Sequence, residues 1–477
     1  MKIPARFKNI SEIKKIFPQD LPVVGVGVSA FQRSGLGYIL PNYKILSLLE
    51  TNDLPAIRQK MPVVSIEKDL GDQPWPAKLN TSSILSLPQV RQWFNQNGRI
   101  NLFVYKAATP LDPIVDELGV NLLSSPGWIR KPLEDKKVFR EEATKAGIKI
   151  PKGENLALET LTEKKWDELR QIYGARLVFQ LTDYSTGGGQ GTFFVDQPED
   201  WKKFWEFTKS QDRKKELKFV NVCGRVSGRA ASITGCATRF GVVTGILQTQ
   251  IMDQPELVGF RGRSGVWLGH DWNVRFSGRV QKNAEQLCQK WGEHIFKKGY
   301  KGIFGLDVTV GKDDEITAIE CNSRYTGAFP VYTMLQLSQG ETPLDVWHLL
   351  EWLGADYEMD LDAVQAVSRQ PKAGAHIIMH NREDRAVKVS GTVKAGVYRF
   401  ITARHPKFLR PGFSLLDIKS DDEFVLADRI PGLGQTVKPG ERMGKLMFKR
   451  QIIDDTGRLL PEIQQLIKTV YSSFNLL

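Results

Sequence analysis

Residues 302–327 read GIFGLDVTVGKDDEITAIECNSRYTG, two apolar runs joined by an acidic turn. This is a hairpin pattern, and it constrains the chain more than any other stretch. A hairpin centred in KDDE sets Asp307 opposite Glu320, and Gly305 opposite Asn322. Side chains alternate along a strand, so Glu320, Asn322 and, while the strand lasts, Arg324 share one face. Two carboxylates held side by side repel each other and invite a cation. Two carboxylates and an amide oxygen are hard donors that suit Mg2+, which leaves its other positions to water and substrate phosphate. Arg324 adds a guanidinium fork for phosphate or carboxylate. The plain alternative is an exposed polar hairpin face, which fits poorly with the apolar IFGL and ITAI runs on either side.

The first 125 residues alternate buried strands and helices. LPVVGVGVS (21–29), MPVVSIE (61–67) and INLFVYK (100–106) read as strands. YKILSLLE (43–50), LPQVRQWFNQ (87–96) and LDPIVDELGV (111–120) read as helices, the last with a glycine stop. Such alternation predicts a parallel sheet covered by helices. From 127, GWIRKPLEDKKVFREEATKAGIKIP predicts a helix with Val138, Phe139, Ala143 and Ala146 on one face, ending at Gly147. Beyond about 370, short alternating strands broken by Gly and Pro predict a smaller β-rich final domain.

Two glycine motifs invite a phosphate reading. GVGVSA (25–30) matches G-x-G-x-x-A after a strand, but FQRSGLGYILP after it is a poor helix, so a tight turn that binds nothing is favoured. Glu50 stands where a ribose-binding acid would be. RLVFQLTDYSTGGGQGTFFV (176–195) reads as strand, glycine-rich tip, strand. No lysine follows the glycines as a P-loop requires, so the tip is either a flexible connector or a loop whose bare amides approach phosphate. His376 and His380 lie in a strand-like AHIIMH, which speaks against a zinc pair.

Composition narrows the class. The chain has 477 residues, enough for two to four domains, with 41% hydrophobic and 25% charged residues. Its four cysteines are too far apart for a zinc knot or disulfide framework, and free thiols suit the cytoplasm. No stretch reaches membrane-span length, so no membrane partner is expected. Net charge is +12, but the basic residues are scattered and no nucleic-acid-binding signature is present.

On the hairpin, the glycine tip and the DKKVFREEATKAGIKIP segment, the chain resembles the ATP-grasp superfamily, of carboxylate–amine ligase type, across about residues 20–447. The fold class this implies is mixed α/β and α+β. It divides into a Rossmann-like pre-ATP-grasp domain at 1–126, an ATP-grasp domain at 127–365, and a small β-rich C-terminal domain with a terminal helix at 366–477. The resemblance makes ATP and Mg2+ the cofactors. It assigns Lys136 to phosphate, and Asp307, Glu320 and Asn322 to the metal. Arg324 becomes a clamp for phosphate or carboxylate. Ser185, Thr186, Gly187, Gly188, Gly189, Gly191 and Thr192 become a lid over the phosphates. The strand carrying Asn221, Val222 and Cys223 would hold adenine through backbone groups. Gln180 stands where the superfamily usually has a second lysine.

The implied activity is activation of a carboxylate as an acyl phosphate and its coupling to an amine, with amino acids or peptides as substrates. Arg229, in RVSGRAAS, and Arg261 and Arg263, in LVGFRGRSGVWLGHDW, are candidate substrate contacts; ordinary surface positions are the alternative for each. A homodimer is left open. The competing classes are an ATP-grasp kinase or carboxylase, and a degenerate ATP-grasp protein that binds nucleotide or nucleic acid and regulates a partner.

Overall fold

The computed structural model describes residues 1–71, 79–182, 191–209, 217–259, 265–400 and 406–477. The first domain is a five-stranded parallel sheet. Its order is Val63–Ser65, Tyr43–Ser47, Val23–Gly27, Asn101–Phe103, Asn121–Leu122. Segment 43–50, expected as a helix, is the strand Tyr43–Ser47. It runs between two parallel neighbours with Ile45 and Leu46 both buried. A strand covered on both faces shows a continuous apolar run, which imitates a buried helix.

GVGVSA leads into a 3-10 helix, Phe31–Tyr38, rather than an α-helix. A Cβ on Gly27 would lie 2.1 Å from Arg33 Cζ, and one on Gly25 would lie 2.0 Å from Tyr43 Oη. These glycines therefore make room for Arg33 and Tyr43. Glu50 is held by Arg58 at 2.6 and 2.9 Å.

The long helix expected from 127 is two helices, Gly127–Glu134 and Lys136–Lys145. Asp135 breaks it, with an extended backbone and a side chain that accepts from the amides of Lys137 and Val138. Phe139 and Ala143 are buried from this second helix, as the apolar face requires.

A four-stranded antiparallel sheet follows, ordered Gly153–Ala157, Phe219–Gly224, Leu177–Leu181, Thr192–Val195. Helices Glu163–Tyr173 and Pro198–Lys209 bury Trp166, Trp201 and Phe204 against Phe179 and Val222 on one face. Its other face carries Gln180, Asn221 and Cys223, all buried.

The large sheet has eleven strands and ignores the domain division expected at 365/366. Gly302–Val310 and Ile316–Asn322 form one end. Trp267–Asp271 pairs with Ala375–His380, which pairs with Arg442–Phe448, so the last 110 or so residues extend the same sheet. The predicted short strands are present, with the helix Pro461–Ser473 packed on them.

Candidate active site

The hairpin has the expected register. Gly305 is opposite Asn322, Leu306 opposite Cys321, and Asp307 opposite Glu320. A bulge then shifts the pairing, so that Val308 faces Ala318. A bulge in the strand next to Glu320 locally re-aims side chains. The bare Gly305 makes room chiefly for Thr326, whose Cγ2 would lie 2.6 Å from an added Cβ; Asn322 is at 3.9 Å.

The three expected metal ligands are together. Asn322 Nδ2 donates to Asp307 Oδ2 at 3.1 Å and approaches Glu320 Oε1 at 3.4 Å. Gln250 Nε2 donates to Asp307 Oδ1 at 2.9 Å. Lys136 Nζ forms an ion pair with Glu320 Oε2. Arg324 lies just beyond the strand end. Its Nη2 donates to Asn322 Oδ1 at 2.8 Å, and its Nε is 3.1 Å from Glu134 Oε1. Arg130 and Lys106 also face Glu134, at 2.6 and 3.5 Å.

Electrostatics follow from this crowding. Burial pushes the Asp307 carboxyl up to about 6, against the pull of Lys136 and Arg324. Burial likewise brings Lys136 down to about 8, opposed by Asp307 and Glu134. Burial would raise Glu134 too, but Arg324, Arg130 and Lys106 hold it at about 2. Asp307 thus lacks a full counter-charge where Glu134 has three.

The donor set fits a hard divalent cation. Two carboxylates meet across one strand pair, and rotation of the Asn322 amide would turn its oxygen toward them. Among the described residues no group of three His, Cys, Asp or Glu side chains could hold a metal, so further ligands would come from Asn322, water and substrate.

Lys136 links the carboxylates to the other face of the four-stranded sheet, since it pairs with Glu320 and its charge also acts on Cys223. Asn155, Asn221, Gln180 and Thr192 stand in register across all four strands. Asn221 Nδ2 donates to Gln180 Oε1, and Arg140 Nε to Asn221 Oδ1, both at 2.9 Å. Arg140 also donates to the Pro151 carbonyl at 2.9 Å. The strand Phe219–Gly224 lies between two neighbours, so the backbone of Asn221, Val222 and Cys223 belongs to the ladder rather than to an adenine ring. Val222 is buried in the opposite core. On the face away from that core the strand carries the side chains of Asn221 and Cys223. Burial pushes the Cys223 thiol up to about 11, opposed by Arg140 and Lys136.

Other expected residues fall elsewhere. Thr192 pairs with Gln180, and the Gly191 carbonyl accepts from Leu181, closing the hairpin at its base. Ser185, Thr186, Gly187, Gly188 and Gly189 lie outside the described residues, as do Arg261 and Arg263. Arg229 is turned away from the carboxylates: it donates to the Asp455 carbonyl and lies over the Phe276 ring. The end of the GVWLGHDW stretch is no surface loop but the strand Trp267–Asp271, with His270 and Asp271 buried.

Three participants escaped sequence reasoning. Arg140 is four residues after Lys136 on one helix, a spacing that was visible. Glu134 lies two residues before Lys136, with nothing local to mark it. Gln250 reaches Asp307 from a distant strand, with no sequence signal.

No family model matches the sequence, and neither does any curated protein. Solved structures do resemble the fold. Carboxyaminoimidazole ribonucleotide synthase from Aspergillus clavatus, complexed with ATP, is 14% identical, with TM-score 0.56, over 96% of this chain and 100% of that one. Biotin carboxylase from Campylobacter jejuni is 13% identical, with TM-score 0.61, over 96% and 98%. The biotin carboxylase domain of Hydrogenobacter thermophilus 2-oxoglutarate carboxylase, a dimer with MgADP, ADP and bicarbonate, is 13% identical, with TM-score 0.57, over 89% and 85%. The chain has the ATP-grasp fold, a pre-ATP-grasp domain included.

Proposed function

We propose that the protein is an ATP-dependent ligase that joins a carboxylate to an amine. The carboxylate oxygen attacks the γ-phosphorus of ATP, ADP leaves, and an acyl phosphate forms. The amine nitrogen then attacks the acyl carbon, phosphate leaves, and the nitrogen gives up its proton. The observation that carries this reading is the Asp307–Glu320 pair, in register, with Asn322, Lys136 and Arg324 around it.

Asp307, Glu320 and Asn322 would hold Mg2+, which when bound neutralises phosphate charge and orients the phosphate oxygens. Lys136 then exchanges Glu320 for a phosphate oxygen. Arg324, kept in place by Glu134 and Asn322, faces the developing negative charge. Arg140 supplies positive charge on the wall where Gln180 replaces a lysine. The glycine-rich segment 185–192 has the composition of a loop whose bare amides can approach phosphate.

The neighbours support nucleotide use, since their structures hold ATP, or MgADP and ADP. A second structure of the Aspergillus clavatus enzyme holds ADP and 5-aminoimidazole ribonucleotide, and the Hydrogenobacter thermophilus domain holds bicarbonate. Bicarbonate therefore joins the candidate carboxylates, and amino acids or peptides become the narrower form of the proposal. A carboxylase that uses bicarbonate is the second reading, favoured by the same neighbours. No helix among the described residues is long and apolar enough to cross a membrane. The four cysteines are free and buried, and free thiols suit a cytoplasmic placement.

Phosphate release from MgATP, measured with carboxylates including bicarbonate crossed against amines, tests the proposal. Release that requires both partners is expected. Release with one acceptor that itself becomes phosphorylated would identify a kinase, and no release with any pair would leave a binding protein.

A further inference from the structure

Glu134 divides its carboxylate between two sets of partners. Oε1 faces Arg324 Nε at 3.1 Å. Oε2 takes Arg130 Nη1 at 2.6 Å and Lys106 Nζ at 3.5 Å. Arg130 is buried, and its Nε donates to the Ala107 carbonyl. Both cations on Oε2 are therefore set by residues 106 and 107. These follow directly on the first-domain strand Asn101–Phe103.

The same stretch of the first domain grips the other side of Arg324. Tyr325, its neighbour in the chain, is stacked on Tyr105 with centroids 5.2 Å apart, and meets the Phe103 ring edge-on at 4.9 Å. Arg33 lies over the Tyr105 ring, 4.7 Å from its centroid. Arg324 Nη1 donates to the Tyr325 carbonyl at 3.1 Å. Phe103, Tyr105, Lys106 and Ala107 thus all bear, directly or through one residue, on the arginine that follows the metal strand.

The hold on Arg324 is one of charge more than of alignment. Among the described residues, Arg324 Nε and Glu134 Oε1 are buried atoms without an aligned hydrogen bond, although they lie 3.1 Å apart. An ion contact shut from water stays strong off the hydrogen-bond axis, so it fixes where the guanidinium sits. Its other side-chain contact is the bond from Nη2 to Asn322 Oδ1 at 2.8 Å. That bond is given up when the Asn322 amide turns its oxygen toward the carboxylates. Glu134 then remains as the side-chain anchor of Arg324.

We propose that the first domain positions Arg324 for phosphoryl transfer, with Glu134 as the positioning residue and Lys106 as the group that sets it. The first domain carries neither Asp307 nor Glu320, yet on this account it governs the chemical step. Transfer rests on the ligase reading; the linkage from Lys106 through Glu134 to Arg324 does not.

The test is a double-variant cycle on the full chain, with arginine labelled with nitrogen-15 for NMR. The Nε–H signal of Arg324 is assigned by its loss in Arg324→Lys. Glu134→Gln and Lys106→Met should each move that signal, and the double variant should match Glu134→Gln alone, because Lys106 acts only through Glu134. Lys131→Met, an exposed lysine on the same helix, should leave it in place. Phosphate release from MgATP gives the second readout. Here kcat should fall about tenfold in Glu134→Gln and about threefold in Lys106→Met, with the KM for ATP little changed, and Lys106→Arg should restore it. An Arg324 signal unmoved in Lys106→Met, effects that add in the double variant, or a loss seen in KM alone overturns the proposal. If Glu134→Gln does not fold, the signal in Lys106→Met and its return in Lys106→Arg decide. No phosphate release by the parent with any pair would remove the ligase reading, and the NMR cycle would still decide the linkage.

Discussion

Arg140 stands one helical turn beyond Lys136, and both cations oppose the upward shift of the Cys223 thiol on the facing sheet. Its guanidinium is pinned by Asn221 and the Pro151 carbonyl, so the charge is held in place over the strand that carries Gln180. Arg140→Met should therefore weaken MgADP binding about tenfold or more, some 1.4 kcal/mol, with little change in melting temperature. Calorimetric titration with MgADP checks this, and unchanged affinity would remove Arg140 from the nucleotide wall. At this scale the sequence was partly legible. Asp307, Glu320, Asn322, Arg324 and Lys136 converge because a hairpin centre fixes every pair in it, and because the helix start at Lys136 had its own signal. Arg140 has no such signal, because the superfamily's second lysine stands on a strand and this charge comes from a helix. The local pattern of Arg229 says nothing of its bond to Asp455, more than two hundred residues away.

The helices Lys136–Lys145 and Gly278–Phe296 carry and brace the site, and Glu142 joins them. Its carboxylate is 2.7 Å from His294 Nε2 and 2.9 Å from Lys298 Nζ, with Lys145 at 2.8 Å from its own helix. Burial would raise Glu142, but the bonds from Lys145, Lys298 and His294 bring it to about 2. A carboxyl with a depressed native pKa stabilises the fold above its ordinary value of 4.5, and that contribution fades as pH falls toward about 2. Glu142→Gln should thus lower the urea midpoint at pH 7 and lose most of its difference from the parent as pH approaches 2. A difference that stays constant with pH would assign the effect to packing instead. Among elements, the break at Asp135 and the strand at Tyr43–Ser47 were the misreadings. In the first, an N-cap within a helix-like run interrupts it. In the second, burial on both faces erases the alternation that marks a strand.

Over the whole molecule, one sheet runs from the carboxylate hairpin into the last strands. The expected final domain is therefore structurally continuous with the ATP-grasp core. That continuity was not legible, because the pairing of Trp267–Asp271 with Ala375–His380 is made by residues a hundred apart. Near this junction Lys372 and Glu341, 0% and 1% exposed, pair at 2.6 Å beside the amino-terminal segment. Lys372→Met would strand a buried carboxylate and should cost on the order of 3–5 kcal/mol, while Lys372→Met with Glu341→Leu should recover most of it. Urea unfolding of the single and double variants checks this; a double variant as weak as the single would mean that the pair is not the linkage.

The proposed function stands on Asp307 and Glu320 holding Mg2+ against a nucleotide. Calorimetric titration of ADP, with and without Mg2+, on the parent, Asp307→Asn and Glu320→Gln measures it most directly. Mg2+ should tighten ADP binding in the parent at least tenfold, and either substitution should abolish this gain while the protein stays folded. ADP affinity that ignores Mg2+ in the parent, or a gain that survives both substitutions, would contradict it.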